Sequence, residues 1–187
     1  MTMAAATMRW TADMVRALPD DGNRYEVVDG ELLVTPAPTW EHQAASRKLF
    51  LHLHGYLAAH ALGEAILAPA DVEFADDRMV EPDLFVVPLI DGRAPRTWEE
   101  AGCVILAVEI LSPSTARADR LVKRRLYQRL RVPEYWIVDV DARLVERWRP
   151  DDQRPEMLAK HLAWRPDSAH PPLAIDLAAY FAEVRGE

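Results

Sequence analysis

Val80-Glu81-Pro82-Asp83-Leu84-Phe85-Val86-Val87, followed after a loop by Cys103-Val104-Ile105-Leu106-Ala107-Val108-Glu109-Ile110-Leu111, decides the fold. Both runs are strongly apolar and each holds one carboxylate, Asp83 near the start of the first and Glu109 near the end of the second. The second run is too continuously apolar for a surface strand, which predicts a central strand covered on both faces. A carboxylate among such neighbours is costly to bury as an ion without a positive partner. A divalent cation is the simplest such partner.

Outward from this pair, Ser112-Pro113-Ser114-Thr115 leads into a basic helix, with Ser114 or Thr115 as the expected cap. At about 100° per residue, Ala118, Val122, Leu126 and Leu130 form one stripe. Asp119 lies within it and Lys123 on its flank beside Tyr127. Two readings stand for these inward charges: an i, i+4 ion pair that stabilises the helix, or groups turned toward the strand carboxylates. Arg117, Arg120, Arg124, Arg125 and Arg131 point away from the stripe, as an ordinary solvated face or as a surface that follows phosphates. Glu134–Val140 and Arg143–Trp148 read as further strands.

Toward the N-terminus, Thr11 is placed to cap a short helix through Leu18. Tyr25–Val28, Asp29-Gly30 and Glu31–Val34 carry a hairpin signature. A long amphipathic helix is expected from Thr39 to about Ala61, stopped by Gly63. Short strands follow near Ala65–Ala68 and Val72–Phe74, and Val80–Pro88 reads as one strand. A turn of helix is expected at Trp98–Ala101. Toward the C-terminus, strands are expected at Met157–His161 and Leu173–Ile175, and Asp176 is placed to cap a last helix through Val184. This order predicts an α/β fold with a mixed sheet flanked by helices. One domain is expected over 1–187: helix and hairpin at about 10–35, the core at about 39–150 and the C-terminal strands and helix at about 151–187.

Half of the 187 residues are hydrophobic and 28% are charged, as in an ordinary globular protein. The net charge of −8 argues against binding nucleic acid by charge alone. Between Arg117 and Arg131, however, stand seven Lys or Arg and one acidic residue. The lone Cys103 is expected to be a buried thiol. No apolar stretch approaches the roughly 18 residues that span a bilayer. Met1 to Met8 lacks a basic lead to a hydrophobic segment, so the expected location is cytoplasmic, with no membrane partner. His52 and His54 do not share a helix face, and the six tryptophans read as core or edge residues rather than base-stacking platforms. No Gly-rich phosphate loop, Gly-x-Ser-x-Gly elbow or Cys–His pair supports nucleotide binding or acyl transfer.

Pro82-Asp83 with strand-borne Glu109 resembles the PD-(D/E)XK, or restriction-endonuclease-like, superfamily. Several stretches together resemble its Uma-type restriction endonucleases: Arg24–Leu32, His42, Glu81–Leu84, Val108–Thr115, Asp119, Lys123, Tyr127 and Pro133–Asp139. The resemblance covers about Trp10 to Phe181. It implies a restriction-endonuclease-like mixed β-sheet core and hydrolysis of DNA phosphodiester bonds with Mg²⁺ or Mn²⁺. Asp83 and Glu109 then bind metal, and Lys123 assists the water or the transition state. Asp119 orients Lys123 or completes the acidic cluster. Leu111 stands where the superfamily's lysine is found, and the resemblance implies that Lys123 on the following helix replaces it. A further acidic ligand from an early element is expected, with Glu31 the candidate ahead of Glu26 and Glu41. The resemblance sets His42 near the pocket, although a lone helix histidine is also an ordinary surface residue. Arg120 and Arg124 are candidates for substrate contact. A homodimer is expected by analogy with nucleases that cut both strands. The alternative is a non-catalytic module that keeps the fold to bind nucleic acid or a protein partner.

Overall fold

The computed structural model describes residues 8–187; the N-terminal stretch read above for targeting lies, up to Thr7, outside them. Helix α1 (Ala12–Arg16) begins at Thr11, whose hydroxyl accepts the Met14 N–H. Strands β1 (Arg24–Val28) and β2 (Glu31–Thr35) form the expected hairpin. Asp29 and Gly30 both take positive φ, 54° and 81°, the turn whose twist matches paired strands. Helix α2 (Trp40–His60) is capped by Thr39 and ends at Ala61 in the left-handed region. Gly63 therefore does not stop the helix. A β-carbon there would stand 2.5 Å from the Val87 carbonyl oxygen, so glycine is required where the Val87 backbone closes on the start of the next strand.

That strand is β3 (Glu64–Leu67), followed by β4 (Val72–Ala75), β5 (Arg78–Val80) and β6 (Leu84–Val87). The run read as one strand from Val80 is thus two. It breaks at Glu81-Pro82-Asp83, and its halves belong to different sheets. Proline has no N–H to give to a ladder, so the chain changes partners there. Helix α3 (Trp98–Ala101) starts at Thr97. Cys103 is exposed rather than buried, because β7 (Leu106–Ile110) begins only after it.

Neither Ser114 nor Thr115 caps the next helix. Ser112 does: its hydroxyl accepts the Thr115 N–H while the Thr115 hydroxyl accepts the Ser112 N–H, each at 3.3 Å. This is a reciprocal capping box with proline in the first turn. The helix passes through a π-helical segment, Ala118–Lys123, into α4 (Arg124–Arg129). Beyond lie β8 (Glu134–Asp139), β9 (Leu144–Trp148), β10 (Glu156–Leu158), β11 (His161–Trp164), β12 (Leu173–Asp176) and α5 (Leu177–Arg185), the last capped by Asp176.

The main sheet has six strands in the order β10-β9-β8-β7-β6-β3. Only β7 and β8 run parallel, joined by the crossover through α4; the other pairings are antiparallel. A four-stranded sheet, β2-β1-β5-β4, and the pair β11-β12 complete the fold. On one face of the main sheet, Leu106, Val108 and Ile110 pack with Leu49, Leu53 and Leu57 of α2 and with Tyr180 and Phe181 of α5. Burying each such leucine contributes about 1.5–3 kcal/mol. On the other face, Phe85, Ala107 and Ile137 meet Leu126 and Tyr127 of α4. The strand carboxylates lie at the margin of this second layer.

Candidate active site

The β6–β7 register pairs Leu84 with Val108, so Asp83 stands opposite Glu109 on the neighbouring strand. Asp83 Oδ1 accepts from Arg24 Nη1 at 2.7 Å and Oδ2 from the Ile110 backbone N–H at 2.8 Å. His42 Nε2 lies 3.0 Å from Oδ2. Burial works against the Asp83 anion, but His42 and Arg24 outweigh it and hold the carboxyl well below the usual range.

Glu109 is 1% exposed. Its Oε1 accepts from Lys123 Nζ at 2.9 Å. Lys123 Nζ also lies 2.8 Å from Glu26 Oε2 and 3.9 Å from Asp119 Oδ1. Burial alone draws a lysine down, yet Glu109, Glu26 and Asp119 hold Lys123 well above its ordinary value, so it remains an ammonium. Burial pushes Glu109 well above the carboxylate range despite Lys123. Burial likewise raises Asp119 to about 6 and Glu81 to about 7. Neither Asp119 oxygen has a hydrogen-bond partner among the described residues.

The π-helical segment explains how Lys123 reaches this position. In place of the α-helical bond, Arg124 N–H reaches the Asp119 carbonyl five residues back. The wider winding aligns residues four apart, and Thr115, Asp119, Lys123 and Tyr127 become one buried row. The apolar stripe expected from regular winding is accordingly displaced: Leu126 is buried, while Ala118, Val122 and Leu130 are only half-buried.

Structure brings together Asp83, Glu109, Lys123, Asp119 and His42. Glu31 is not with them. It pairs with Val28 at the turn end of the hairpin and is exposed, whereas Glu26, one step in along the same face, contacts Lys123. Arg120 and Arg124 also stand apart. Arg120 is bound to Glu146 and Asp139, and Arg124 lies over the Trp148 ring, 4.7 Å from its centroid, while donating to Gln128. Arg24 escaped the sequence reading as a site residue, and Glu26, ranked there behind Glu31, is the early acidic residue that reaches the site. Their one signal was two charges at alternate positions of β1, on the side that also carries buried Val28.

A cleft of about 530 Å³ opens onto Asp83, lined by Arg24, His42, Ser46, Ser112 and Thr115 among others. Four carboxylates (Glu26, Asp83, Glu109 and Asp119) meet two permanent cations (Arg24 and Lys123). The converging carboxyl groups and the unpartnered Asp119 oxygens fit a divalent cation, whose preferred ligands are hard oxygens. Among the described residues, however, no three acidic or histidine side chains form a ready cage for an ion. The strand carboxylates are engaged by Arg24, His42 and Lys123 instead.

A six-stranded mixed sheet flanked by helices, with paired strand carboxylates beside a helix lysine, defines a restriction-endonuclease-like α/β fold. The chain belongs to the Uma2 family, described as "Putative restriction endonuclease", whose model matches residues 12–178. The fold is similar to that of a crystal structure from Anabaena variabilis, described as a putative nuclease belonging to DUF820. That match has a TM-score of 0.70 at 19% identity and covers 93% of this chain and 98% of the other. No protein of curated function matches the chain significantly. No described helix is long and apolar enough to cross a membrane.

Proposed function

We propose that this protein is a metal-dependent endonuclease that hydrolyses DNA phosphodiester bonds. The observation that carries the reading is the convergence of Asp83, Glu109 and Lys123, from two strands and a helix, with Nζ 2.9 Å from Glu109 Oε1. Asp83 and Glu109 would hold Mg²⁺ or Mn²⁺, which supplies charge for the phosphoryl oxygens and acidifies water. The remaining roles fall to the chain. Lys123, kept as an ammonium, donates to the attacking water or to a phosphoryl oxygen rather than abstracting a proton. Glu26 and Asp119 hold that ammonium in place. Arg24 neutralises Asp83, His42 lies against it, and both face the cleft where phosphate arrives. Arg120 and Arg124, tied to other side chains, are left with phosphates beyond the cleft. Two copies acting together would cut both strands, a reading that molar mass by light scattering tests.

Plasmid and single-stranded DNA incubated with and without Mg²⁺ provide the test. Cutting should require metal and disappear in Asp83→Ala and Lys123→Ala; metal-independent or undiminished cutting would sink the reading. RNA in the same assay tests the preference for DNA.

One observation favours a second reading, a non-catalytic nucleic-acid- or protein-binding module. Each strand carboxylate already has a cationic partner within 3.0 Å, so the fold stands without metal. Titration calorimetry with Mg²⁺ on wild type and Glu109→Gln separates the two. A nuclease shows heat of binding that the substitution removes, and a module shows none in either.

A further inference from the structure

The reading of all six tryptophans as core or edge residues holds for Trp136, Trp148 and Trp164, which are buried, but not for Trp40. That indole is 88% exposed at the first position of α2. Trp40, Gln43 and Arg47 recur at i, i+3 and i+7, so they share one helix face, and all three are exposed. On one side of this row, Gln43 and Arg47 help to line the cleft that opens onto Asp83. On the other, Trp40 and Arg47 line a shallower depression of about 640 Å³. Arg47 is the wall that the two share, so the row leads from the exposed indole to the candidate active site.

Charge points to the occupant. Around this groove Arg24 is tied to Asp83, Lys48 to Glu183 and Arg185 to Glu41. Arg47 has no ion pair or side-chain hydrogen bond among the described residues, so its guanidinium is open to an anion. An uncommitted guanidinium and an uncovered indole on one face match the two parts of a single strand, a phosphate and a base with an open π-face. Bases inside a duplex have both faces covered by their neighbours and offer the indole nothing. The seven helical steps from Trp40 to Arg47 span about 10 Å, roughly three stacked nucleotides at 3.4 Å each. A short footprint of this kind also suits a chain of net charge −8, on which a long phosphate track would meet repulsion.

We propose that Trp40 and Arg47 form a path for an unpaired nucleic-acid strand leading into the cleft, with Trp40 stacking a base and Arg47 taking a phosphate. What happens at the end of the path rests on the nuclease reading; the binding itself does not.

The test is fluorescence anisotropy in EDTA, with a labelled oligothymidylate and a blunt duplex of equal length. The single strand should bind more tightly. Trp40→Ala should weaken it on the order of tenfold, and Trp40→Phe should keep most of the affinity. Arg47→Ala should flatten the salt dependence by about 0.7 in log–log slope, the share of one phosphate. Iodide quenching of tryptophan fluorescence should fall when the strand is bound in wild type but not in Trp40→Phe. Circular dichroism should be unchanged in all variants, because the indole lies outside the core. The proposal is overturned if wild type ignores the single strand or binds the duplex as well. It is equally overturned if Trp40→Ala binds like wild type, or if that variant changes only the molar mass, which would give the face to a second copy of the chain. Plasmid cleavage run in parallel keeps the two ideas apart. Cutting with Trp40-independent binding sinks the path alone, and Trp40-dependent binding without cutting sinks the nuclease alone.

Discussion

The two faces of β7 make opposite demands. Leu106, Val108 and Ile110 leave one face and meet hydrocarbon from α2, α5 and the neighbouring strands. Ala107 and Glu109 leave the other, and Glu109, as deeply buried as the leucines, meets an ammonium and further carboxylates. On the first face any apolar side chain of similar volume and shape serves. On the second each group depends on the charge of its partner, because an uncompensated ion in that layer costs several kcal/mol. The apolar face therefore contributes stability, and the charged face ties up stability in an arrangement that folding alone does not need. Such a conflict with the burial rule marks a functional site.

Lys123→Met should break this contrast most sharply. Removing the ammonium strips buried Glu109 of its cation and leaves Glu26 only Arg24, 4.0 Å away, and should cost about 3–5 kcal/mol, read from urea unfolding. Leu106→Ala on the opposite face should cost a similar amount, about 2–5 kcal/mol. The two should differ in function: Leu106→Ala should retain metal-dependent cutting per folded molecule, and Lys123→Met should have none. Adding Glu109→Gln to Lys123→Met should restore much of the stability and none of the cutting. If the double variant is no more stable than Lys123→Met, the ion pair is not the source of the loss.

The same contrast governs what could be read from sequence. Elements whose signal is local were legible: the Asp29-Gly30 turn, the Thr11 and Asp176 caps, and the apolar runs that became β7 and β8. Asp83, Glu109 and Lys123 stood out because charge inside an apolar pattern is visible along the chain. Arg24 was not legible as a site residue, and Glu26 only as a lesser candidate behind Glu31. Glu26 meets Lys123 of the π-helical row and Arg24 meets Asp83 beside the main sheet, contacts that β1 alone does not encode. Regular winding also misassigned the helix stripe, since one π-helical turn shifts every residue after it. Pro82 carried a warning that the long strand would divide, and the apolar residues on both sides concealed it.

Acid should separate the two faces next. Burial raises Asp119 from 3.8 to about 6. A folded-state value above the unfolded one means that its contribution is fully present below about pH 4 and is lost as pH rises through about 6. The loss is on the order of 3 kcal/mol. Asp119→Asn should remove that slope, so that wild type and variant diverge between pH 4 and 6 in denaturant midpoints measured across the range. Leu106→Ala should run parallel to wild type throughout. A parallel Asp119→Asn curve would show that its carboxyl is not held in the buried layer.

Ile110→Val tests the tolerant face in mild form. The loss of one methylene should cost about 0.5–1.5 kcal/mol. The Ile110 backbone N–H, which holds Asp83, is left in place, so cutting should be unchanged. Reduced cutting at full occupancy of the folded state would show that packing on the apolar face sets the position of Asp83, and the two faces would then be coupled.

Arg120→Gln should have the smallest effect and still decides something. The guanidinium is 38% exposed and lies between Asp139 and buried Glu146; the glutamine amide can still donate to Glu146, so the substitution should cost no more than about 1 kcal/mol. Arg120 stands only three residues before Lys123, yet it points to the β8–β9 side while Lys123 points to Glu26 and Glu109. If that separation holds, cleavage and its salt dependence should match wild type. If Arg120→Gln lowers the salt slope as Arg47→Ala should, the strand also crosses the helix, and the basic face beyond the cleft belongs to the substrate.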